Sequence, residues 1–290
     1  MAFRELLKNF AIKSDKIRSN TVAYKDQATA NKAETITYNL PRTKLVYGLD
    51  LQVTKDTDST LVDNIDEIRV LLNGNLIIKK YSGAIAKAIA LLNGQKCSTG
   101  FYKIYFVDPK LGGSPIPADA LSSFTVEIDV LDGGVGVKNR VTPTLLEGFK
   151  ESFPNALNQI LVEKYSIQED YGTATGEKPY DHERTQDILG LIYDLADDGA
   201  RSDTRFSYLT LEGKSRTEEV TPYFKLALAQ LKELNTQENN GNALATGIFA
   251  LTFPEGFSSY RFTQLRTLLN IPIAGTAAQA KVIERFLIKS

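Results

Sequence analysis

The 290-residue chain carries one weak sequence pattern twice, once in each half. Gly48-Leu49 matches Gly190-Leu191 at an offset of 142, and residues 100–106 match residues 247–253 at an offset of 147. Strands resemble one another, so either match alone says little, but the two matches occur in the same order along the chain. A repeat of this length far exceeds the roughly 20–50 residues of solenoid repeats, so it predicts two whole domains of one fold.

Both halves are rich in segments predicted as β-strands. Residues 44–54 show the strongest signal, because apolar and polar side chains alternate there and the residue types favour extended backbone. Asn73-Gly74 is a two-residue hairpin turn signal. One helix is predicted in each half, at residues 84–92 and 223–234. Strands and helices do not alternate regularly, which disfavours a doubly wound α/β fold.

The pattern predicts an all-β fold of two tandem domains with short helical insertions, each a β-sandwich or jelly roll of about six to eight strands. With the resemblance described below, each domain is expected to be a jelly roll, an eight-stranded β-sandwich. We place the first jelly roll at residues 34–144, a partly helical junction at 145–158 and the second jelly roll at 159–290. Residues 1–33 are predicted as an N-terminal helix and arm. The polar residues 170–184 are predicted as a long surface loop.

Residues 1–13 are predicted as an amphipathic helix. Apolar side chains follow the i, i+3, i+4, i+7 spacing of one helix face, and basic side chains lie beside them. The residues that define this helix are Phe3, Arg4, Leu6, Leu7, Lys8 and Phe10. Two interpretations stay open: the helix packs on the protein's own body, or it lies on a membrane or a neighbouring subunit as a basic anchor.

Composition excludes several classes of protein. The 34 basic and 35 acidic residues nearly cancel, whereas a nucleic-acid binder is normally basic, so no specific nucleic-acid partner is expected. The single cysteine, Cys97, can form neither an internal disulfide nor a multi-cysteine zinc site. No apolar run reaches the roughly 18 residues of a membrane-spanning helix. No signal peptide is recognised, so we expect a protein that is used without export.

The sequence offers little for catalysis, and we expect that the protein is not an enzyme. A nucleophile–histidine mechanism would have to use the single histidine, His182, and no nucleophile motif lies near it. A solvated or salt-bridged histidine is the expectation there. An enzyme of this sequence would need a carboxylate site such as Asp194 with Asp197. No catalytic residue and no cofactor is predicted.

Acidic loops are the weak candidates for a metal site. The four carboxylates of the second-half loop are Asp194, Asp197, Asp198 and Asp203, and those of the comparable first-half loop are Asp56, Asp58, Asp63 and Asp66. Oxygen ligands in flexible loops can hold calcium. Neither loop has the EF-hand spacing, and acidic loops are ordinarily hydrated turns. Calcium is therefore the one possible bound ion, and the signal for it is weak.

With this repeat, the chain resembles the double jelly-roll major capsid proteins of tail-less, membrane-containing icosahedral bacteriophages, in particular corticovirus-like coat proteins. The resemblance covers residues 34–290 and rests on order and spacing, because such proteins have no catalytic motif. The glycine-led strands at residues 100–106 and 247–253 carry most of it. In this comparison, residues 124–131 and 268–274 are the hydrophobic strands that close each half.

The resemblance implies a structural protein of the virion capsid, assembled in the host cytoplasm. It implies a homotrimer whose six jelly rolls form a pseudo-hexagonal tile of an icosahedral shell over an internal membrane. Partners would be neighbouring capsomers, minor capsid and vertex proteins, and the membrane, which the N-terminal helix would contact. The short loops depart from coat proteins with elaborate outer towers.

The alternative function is a carbohydrate- or cell-surface-binding β-sandwich module. Sugar sites often use broad aromatic platforms, and the chain has no tryptophan. Its 13 tyrosines could serve instead, so this alternative stays open.

Overall fold

The computed structural model describes residues 17–108, 110–148, 159–183, 186–214, 221–258 and 262–289. The predicted helix at residues 1–13 lies outside the described residues, as do residues 149–158 of the predicted junction. The chain divides into two compact units, one made of residues 1–162 with 288–290 and the other of residues 163–287. We call them the first and the second jelly roll.

The described residues of the first jelly roll form two sheets, one α-helix and a short 3-10 helix at Ala118–Ala120. Its strands are β1 (Arg18–Thr21), β2 (Lys25–Asp26), β3 (Glu34–Asn39), β4 (Leu45–Lys55), β5 (Ile65–Leu72), β6 (Leu76–Ser82), β7 (Phe101–Tyr105), β8 (Ile116–Pro117), β9 (Phe124–Val130) and β10 (Asn139–Gly148), and helix α1 (Gly83–Leu92) follows β6. One sheet has the order β1-β10-β4-β7, with β2 paired to β10 and β8 to β4. The other has the order β6-β5-β9-β3.

The core of the first jelly roll lies between these sheets. Alternate side chains of β4, β5 and β9 are buried, as the period of two requires for a strand with one face in a core. The Tyr38 hydroxyl of β3 donates to the Val141 carbonyl of β10 at 2.6 Å, which links the two sheets through the core. Ser82 caps α1 by accepting from the Ile85 amide at 3.4 Å, and the helix ends before Asn93, as the sequence predicts.

The second jelly roll has the same plan. After β11 (Gln159–Lys164), its elements are β12 (Gln168–Gly172), β13 (Gly176–Asp181), β14 (Asp187–Asp197), β15 (Ala200–Arg201), β16 (Tyr208–Lys214), β17 (Thr221–Ala227), α2 (Leu228–Glu238), β18 (Ile248–Ser258), β19 (Gln264–Ile271) and β20 (Ala278–Lys289). One sheet has the order β12-β20-β14-β18, with the short β15 paired to β14. The other has the order β13-β19-β16-β17.

The two strand orders are equivalent, position by position. In each jelly roll, the long strands β4 and β14 pair with the last strand, β10 or β20, and with the strand after the helix, β7 or β18. The helix lies between the same two strands in both copies. This arrangement is the jelly roll, and the predicted all-β double jelly-roll fold is confirmed.

The sequence repeat coincides with a repeated structural detail. A β-bulge precedes Gly48 in β4 and Gly190 in β14, at the offset of 142. A Cβ atom at Gly48 would lie 2.9 Å from the Ile104 carbonyl oxygen of β7, and one at Gly190 would lie 2.9 Å from the Leu251 carbonyl oxygen of β18. Both glycines therefore let a neighbouring strand approach closely.

Several local predictions were wrong. The helix predicted at residues 223–234 is strand β17 followed by α2, because Phe224 and Leu226 pack on the core with strand periodicity whereas Leu228 and Leu231 are buried at helix spacing. The loop predicted at residues 170–184 contains most of β12 and all of β13. These polar sheet-edge strands are held by pairing to β20 and β19, which composition does not show.

The ends of the first jelly roll also differ from the prediction. Part of the predicted arm forms β1 and β2, which pair with β10. β10 continues to Gly148, inside the segment predicted as a junction, because its Leu145 is buried opposite Leu49 of β4. The first jelly roll ends with β10 and the second with β20. In each, the last strand comes one strand later than the predicted closing strand, at residues 124–131 and 268–274.

Gly48→Ala and Gly190→Ala test this structural repeat. Each added methyl group meets a backbone carbonyl that cannot move without shifting its strand, so we expect each variant to lose about 1–3 kcal/mol of unfolding free energy. Urea unfolding followed by circular dichroism measures the loss. Thr37→Ala, at an exposed position of β3, is the control and should stay within about 0.5 kcal/mol of the wild type.

Candidate functional site: a duplicated carboxylate corner

An aspartate joins two loops at one end of the first jelly roll. Asp63 lies between β4 and β5, and its Oδ1 accepts three hydrogen bonds: from Lys87 Nζ at 2.6 Å, from the Gly100 amide at 2.7 Å and from the Tyr102 hydroxyl at 3.2 Å. Lys87 lies on α1, Gly100 ends the loop before β7, and Tyr102 lies on β7. One carboxylate oxygen thus connects the β4–β5 loop to the helix and to the α1–β7 loop.

The lysine and the glycine of this corner have further contacts. Lys87 Nζ also donates to the Ser98 carbonyl at 3.1 Å and lies 5.0 Å from the centre of the Tyr102 ring. Gly100 has a left-handed backbone with φ of 72°, and a Cβ there would lie 2.7 Å from the Val53 carbonyl oxygen. Glycine is therefore required at this position. We call Asp63, Lys87 and Gly100 the first corner.

The second jelly roll contains the same arrangement. Asp203 Oδ1 accepts from Lys232 Nζ of α2 at 3.1 Å and from the Gly247 amide at 2.7 Å. Lys232 Nζ also donates to the Ala245 carbonyl at 2.7 Å and lies 5.2 Å from the centre of the Phe249 ring. Gly247 has φ of 71°. We call Asp203, Lys232 and Gly247 the second corner.

The two corners correspond atom by atom. The Val53 amide donates to the Gly100 carbonyl at 2.8 Å, and the Leu195 amide donates to the Gly247 carbonyl at 2.8 Å. The one difference is the aromatic residue, because Phe249 stands where Tyr102 donates its hydroxyl group in the first corner. The first corner therefore has one more donor to its carboxylate than the second.

Electrostatics keeps the Asp63 carboxylate ionised. Partial burial alone would raise its pKa, but the hydrogen bonds from Lys87 and Gly100 and the Lys87 charge outweigh burial, so the pKa of Asp63 lies below its ordinary value of 3.8. Burial, and then the negative charge of Asp63, raise the pKa of Tyr102, so this hydroxyl group stays a donor.

The sequence singled out parts of both corners. Asp63 and Asp203 were among the acidic loop residues, and Gly100 and Gly247 began the repeated strands. Lys87 and Lys232 were missed, because they are 24 and 29 residues from their aspartates in sequence. The sequence signal that could have indicated these lysines is a Thr-Gly pair at the start of each repeated strand, together with a lysine on the preceding helix.

The predicted calcium ligands have other partners. Asp194 accepts from Arg201 at 2.7 and 2.9 Å, and Asp197 lies 3.2 Å from Arg205 Nε and accepts from the Thr276 hydroxyl at 2.6 Å. Asp198 occupies a left-handed turn position with φ of 51°. Within the part of the chain that the structure describes, no group of three or more histidine, cysteine or acidic side chains could hold a metal ion. Calcium binding by these residues stays a prediction.

His182 is buried in the second jelly roll beside a carboxylate, so of the two expected environments, solvated or salt-bridged, the solvated one is excluded. Its Nδ1 lies 3.0 Å from Glu284 Oε1, and its Nε2 lies 2.8 Å from Thr267 Oγ1. The Tyr193 hydroxyl lies 3.0 Å from the same Thr267 oxygen, and the Glu183 amide donates to Glu284 at 3.1 Å. The pairing partner is a carboxylate, as for a salt-bridged histidine.

This network has the order of a nucleophile, a base and an acid, but no substrate can reach the nucleophile. Thr267 is fully buried, and its hydroxyl group contacts both His182 and the Tyr193 hydroxyl. The neighbouring cleft of about 480 Å³ does not include Thr267 and is lined by Asp181, His182, Lys214, Thr263, Gln264 and Leu265. The network is a polar core layer.

The same layer is apolar in the first jelly roll. Glu284 lies opposite Leu191 in the β14–β20 pair, and Leu145 lies opposite Leu49 in the equivalent β4–β10 pair. Both glutamate and leucine are buried. The two copies thus keep one backbone plan with different core chemistry.

The residues predicted to contact a membrane or a neighbour, Phe3, Arg4, Leu6, Leu7, Lys8 and Phe10, lie outside the described residues. Across the described ranges, no helix combines the length and the apolar character needed to cross a bilayer.

Solved capsid proteins share this fold. The chain aligns with the major capsid protein of Sulfolobus Turreted Icosahedral Virus at a TM-score of 0.72 and 10% identity, covering 94% of this chain and 97% of that one. For the major capsid protein of bacteriophage PM2 the TM-score is 0.64 at 12% identity, with 93% and 98% covered. For the Faustovirus major capsid protein it is 0.51 at 7% identity, with 94% and 90% covered.

No family model matches the sequence, and no curated protein matches it significantly. The resemblance to double jelly-roll major capsid proteins is confirmed at the level of fold.

Asp63→Asn tests the charge of the first corner. Because the side chain is half exposed, we expect a loss of about 1 kcal/mol of unfolding free energy at neutral pH. The pKa of Asp63 is lower in the folded than in the unfolded protein. The stability that the ionised Asp63 side chain contributes is therefore fully present above about pH 3.8, and it is lost as the pH falls through the lowered pKa of the folded protein.

Unfolding measured between pH 2 and 7 should show the unfolding free energies of the wild type and Asp63→Asn converging as the pH falls below 3.8. Asp66→Asn, at an exposed carboxylate of β5, is the control and should differ little from the wild type at neutral pH. A constant difference between wild type and Asp63→Asn down to about pH 2 would contradict the assignment.

Glu284→Leu tests the polar layer, since leucine is the residue that the first jelly roll uses there. Removing the carboxylate leaves His182 and the Glu183 amide without their acceptor, so we expect a loss of about 3–5 kcal/mol. The double variant His182→Leu/Glu284→Leu should recover part of this loss, because apolar side chains then replace the whole pair. Additive losses in this double-mutant cycle, measured by urea unfolding, would show that the pair is not coupled.

Proposed function

We propose that this protein is a viral major capsid protein, a coat subunit that acts through shape and association and not through catalysis. The observation that carries the proposal is that one chain holds two jelly rolls of equivalent strand order and aligns with major capsid proteins over nearly the full length of both partners. The protein would then reside in the virion capsid, after assembly in the host cytoplasm.

The proposed assembly is a homotrimer. Three chains that each hold two jelly rolls place six similar bodies around one three-fold axis, which gives a tile with pseudo-hexagonal outline. Closed cyclic symmetry repeats one head-to-tail interface three times, so two mutually complementary patches on each chain are enough. Such tiles could cover an icosahedral shell together with neighbouring capsomers and with minor capsid and vertex proteins.

A tile subunit must keep its shape, and the described residues support this role. Each jelly roll is closed by pairing between strands far apart in sequence, and each carries a corner that ties loops to a helix. The nucleophile-like Thr267 is inaccessible, and Asp194 and Asp197, the carboxylates considered for catalysis, each face an arginine. These features favour a structural role.

The proposed internal contact is with a membrane, through the N-terminal segment. Its support comes from the sequence: one apolar face formed by Phe3, Leu6, Leu7 and Phe10, with Arg4 and Lys8 beside it. A basic amphipathic helix can lie at the lipid head groups without crossing the bilayer.

Size-exclusion chromatography with light scattering tests the proposed function. We expect a trimer of the 32.1 kDa chain, and tiles with three-fold symmetry in electron micrographs. A protein that stays monomeric at high concentration would contradict the coat function. Deletion of residues 1–13 should leave the trimer intact and abolish binding to vesicles of anionic lipid, and unchanged vesicle binding would contradict the membrane contact.

A further inference from the structure

We propose that each corner is a loop clamp: the Asp63–Lys87 and Asp203–Lys232 pairs each hold two loops of their own jelly roll in one conformation, and the two clamps act independently. The clamped loops are residues 56–64 and 93–100 in the first jelly roll, and residues 198–207 and 239–247 in the second. The aspartates are positioning residues. The inference goes beyond the coat function and does not depend on it.

The contacts made by each pair reach both loops. Asp63 belongs to the first loop and accepts from the Gly100 amide at the end of the second, while Lys87 donates to Asp63 and to the Ser98 carbonyl of the second loop. Asp203 and Lys232 make the same connections, to the Gly247 amide and the Ala245 carbonyl. A carboxylate in one loop and an ammonium group from the helix thus cross-link both loops.

Other contacts hold these loops in part. The Lys55 amide donates to the Thr60 carbonyl at 2.8 Å in the first jelly roll, and Phe206 and Leu244 are buried in the second, whereas residues 57–60 and 94–96 are exposed. Charge-assisted hydrogen bonds to backbone groups are stronger than neutral ones and have fixed geometry. The clamp therefore adds a strong, directional contact between the two loops of each jelly roll.

The clamps lie outside the core. The Asp63 and Asp203 side chains are 49% and 40% exposed, whereas the core side chains are almost completely buried. Loss of the clamp should therefore open the loops without unfolding the jelly roll, because local openings cost less free energy than global unfolding.

Comparison of the two copies shows that this contact is specific. The loop after β9 is held by Asp56, which accepts from the Lys138 amide at 3.0 Å, whereas the equivalent loop after β19 is held by Arg205, which donates to the Ile273 and Thr276 carbonyls at 2.5 and 2.7 Å. The core layer also differs, as Glu284 and Leu145 show. The corner contacts are the same in both copies while these neighbouring contacts differ.

Hydrogen–deuterium exchange followed by mass spectrometry tests the proposal on the full chain. In Asp63→Asn we expect the exchange rate of residues 56–64 and 93–101 to rise about tenfold, because the substitution removes one network of charge-assisted hydrogen bonds. Residues 198–207 and 239–248 should keep the wild-type rate. Asp203→Asn should give the reverse pattern, and peptides of β4, β10, β14 and β20 should stay protected in both variants.

Asp50→Asn is the matched control. Asp50 and Lys103 form an ion pair of comparable exposure at 3.3 Å, and this pair joins β4 to β7 and not one clamped loop to another. This variant should leave exchange of all four loops unchanged. If a variant at Asp63 or Asp203 folds poorly, Lys87→Met and Lys232→Met break the same pairs from the helix side and should open the same loops.

Three results would overturn the proposal. Unchanged loop exchange in Asp63→Asn and Asp203→Asn would show that the loops are held by other contacts. A rise in both jelly rolls from one substitution would show that the clamps are not independent. A rise in the core strands as large as the rise in the loops would show that the corners act through global stability alone and not on loop conformation.

Discussion

Each jelly roll depends on one long-range contact, the antiparallel pairing of its longest central strand with its last strand. β4 pairs with β10 and β14 pairs with β20, so about 80 residues lie between the paired strands in each copy. Closing so long a loop is entropically costly, and the pairing must recover that cost through burial on both strands. Leu49 and Leu145 do so in the first copy. The remaining strands are added on either side of this pair or in the opposite sheet.

The bulge and the glycine in the central strand follow from the same constraint. A strand paired on both sides in a curved sheet must bend, and a bulge provides the bend at the cost of one unpaired residue. Gly48 and Gly190 come directly after the bulges, where the carbonyl groups of β7 and β18 approach too closely for a side chain. This requirement is set by the backbone, so it is the same in two copies whose side chains otherwise differ.

The sequence predicted what depends on local pattern. The alternation of residues 44–54, the helix at residues 84–92 and the repeat at Gly48 and Gly190 all correspond to observed features, because each reflects a side-chain period or a backbone need. Edge strands such as β12 and β13 were missed, since their polar side chains are placed by pairing and not by burial. The corners were missed as units, because a carboxylate in one loop and a lysine on a distant helix meet only after the chain has folded.

The corners also explain why the acidic loops were first interpreted as weak calcium sites. A carboxylate that ties a loop to its surroundings can be balanced by a cation, and calcium can supply one by bridging several oxygen atoms. Here Lys87 and Lys232 supply the charge from within the chain, and each ammonium group contacts a carboxylate oxygen and a backbone carbonyl oxygen, the kinds of ligand that calcium uses. Calcium at Asp203 would have to displace Lys232. A helix that carries its own cation to the loop makes the loop's conformation a property of the folded chain alone.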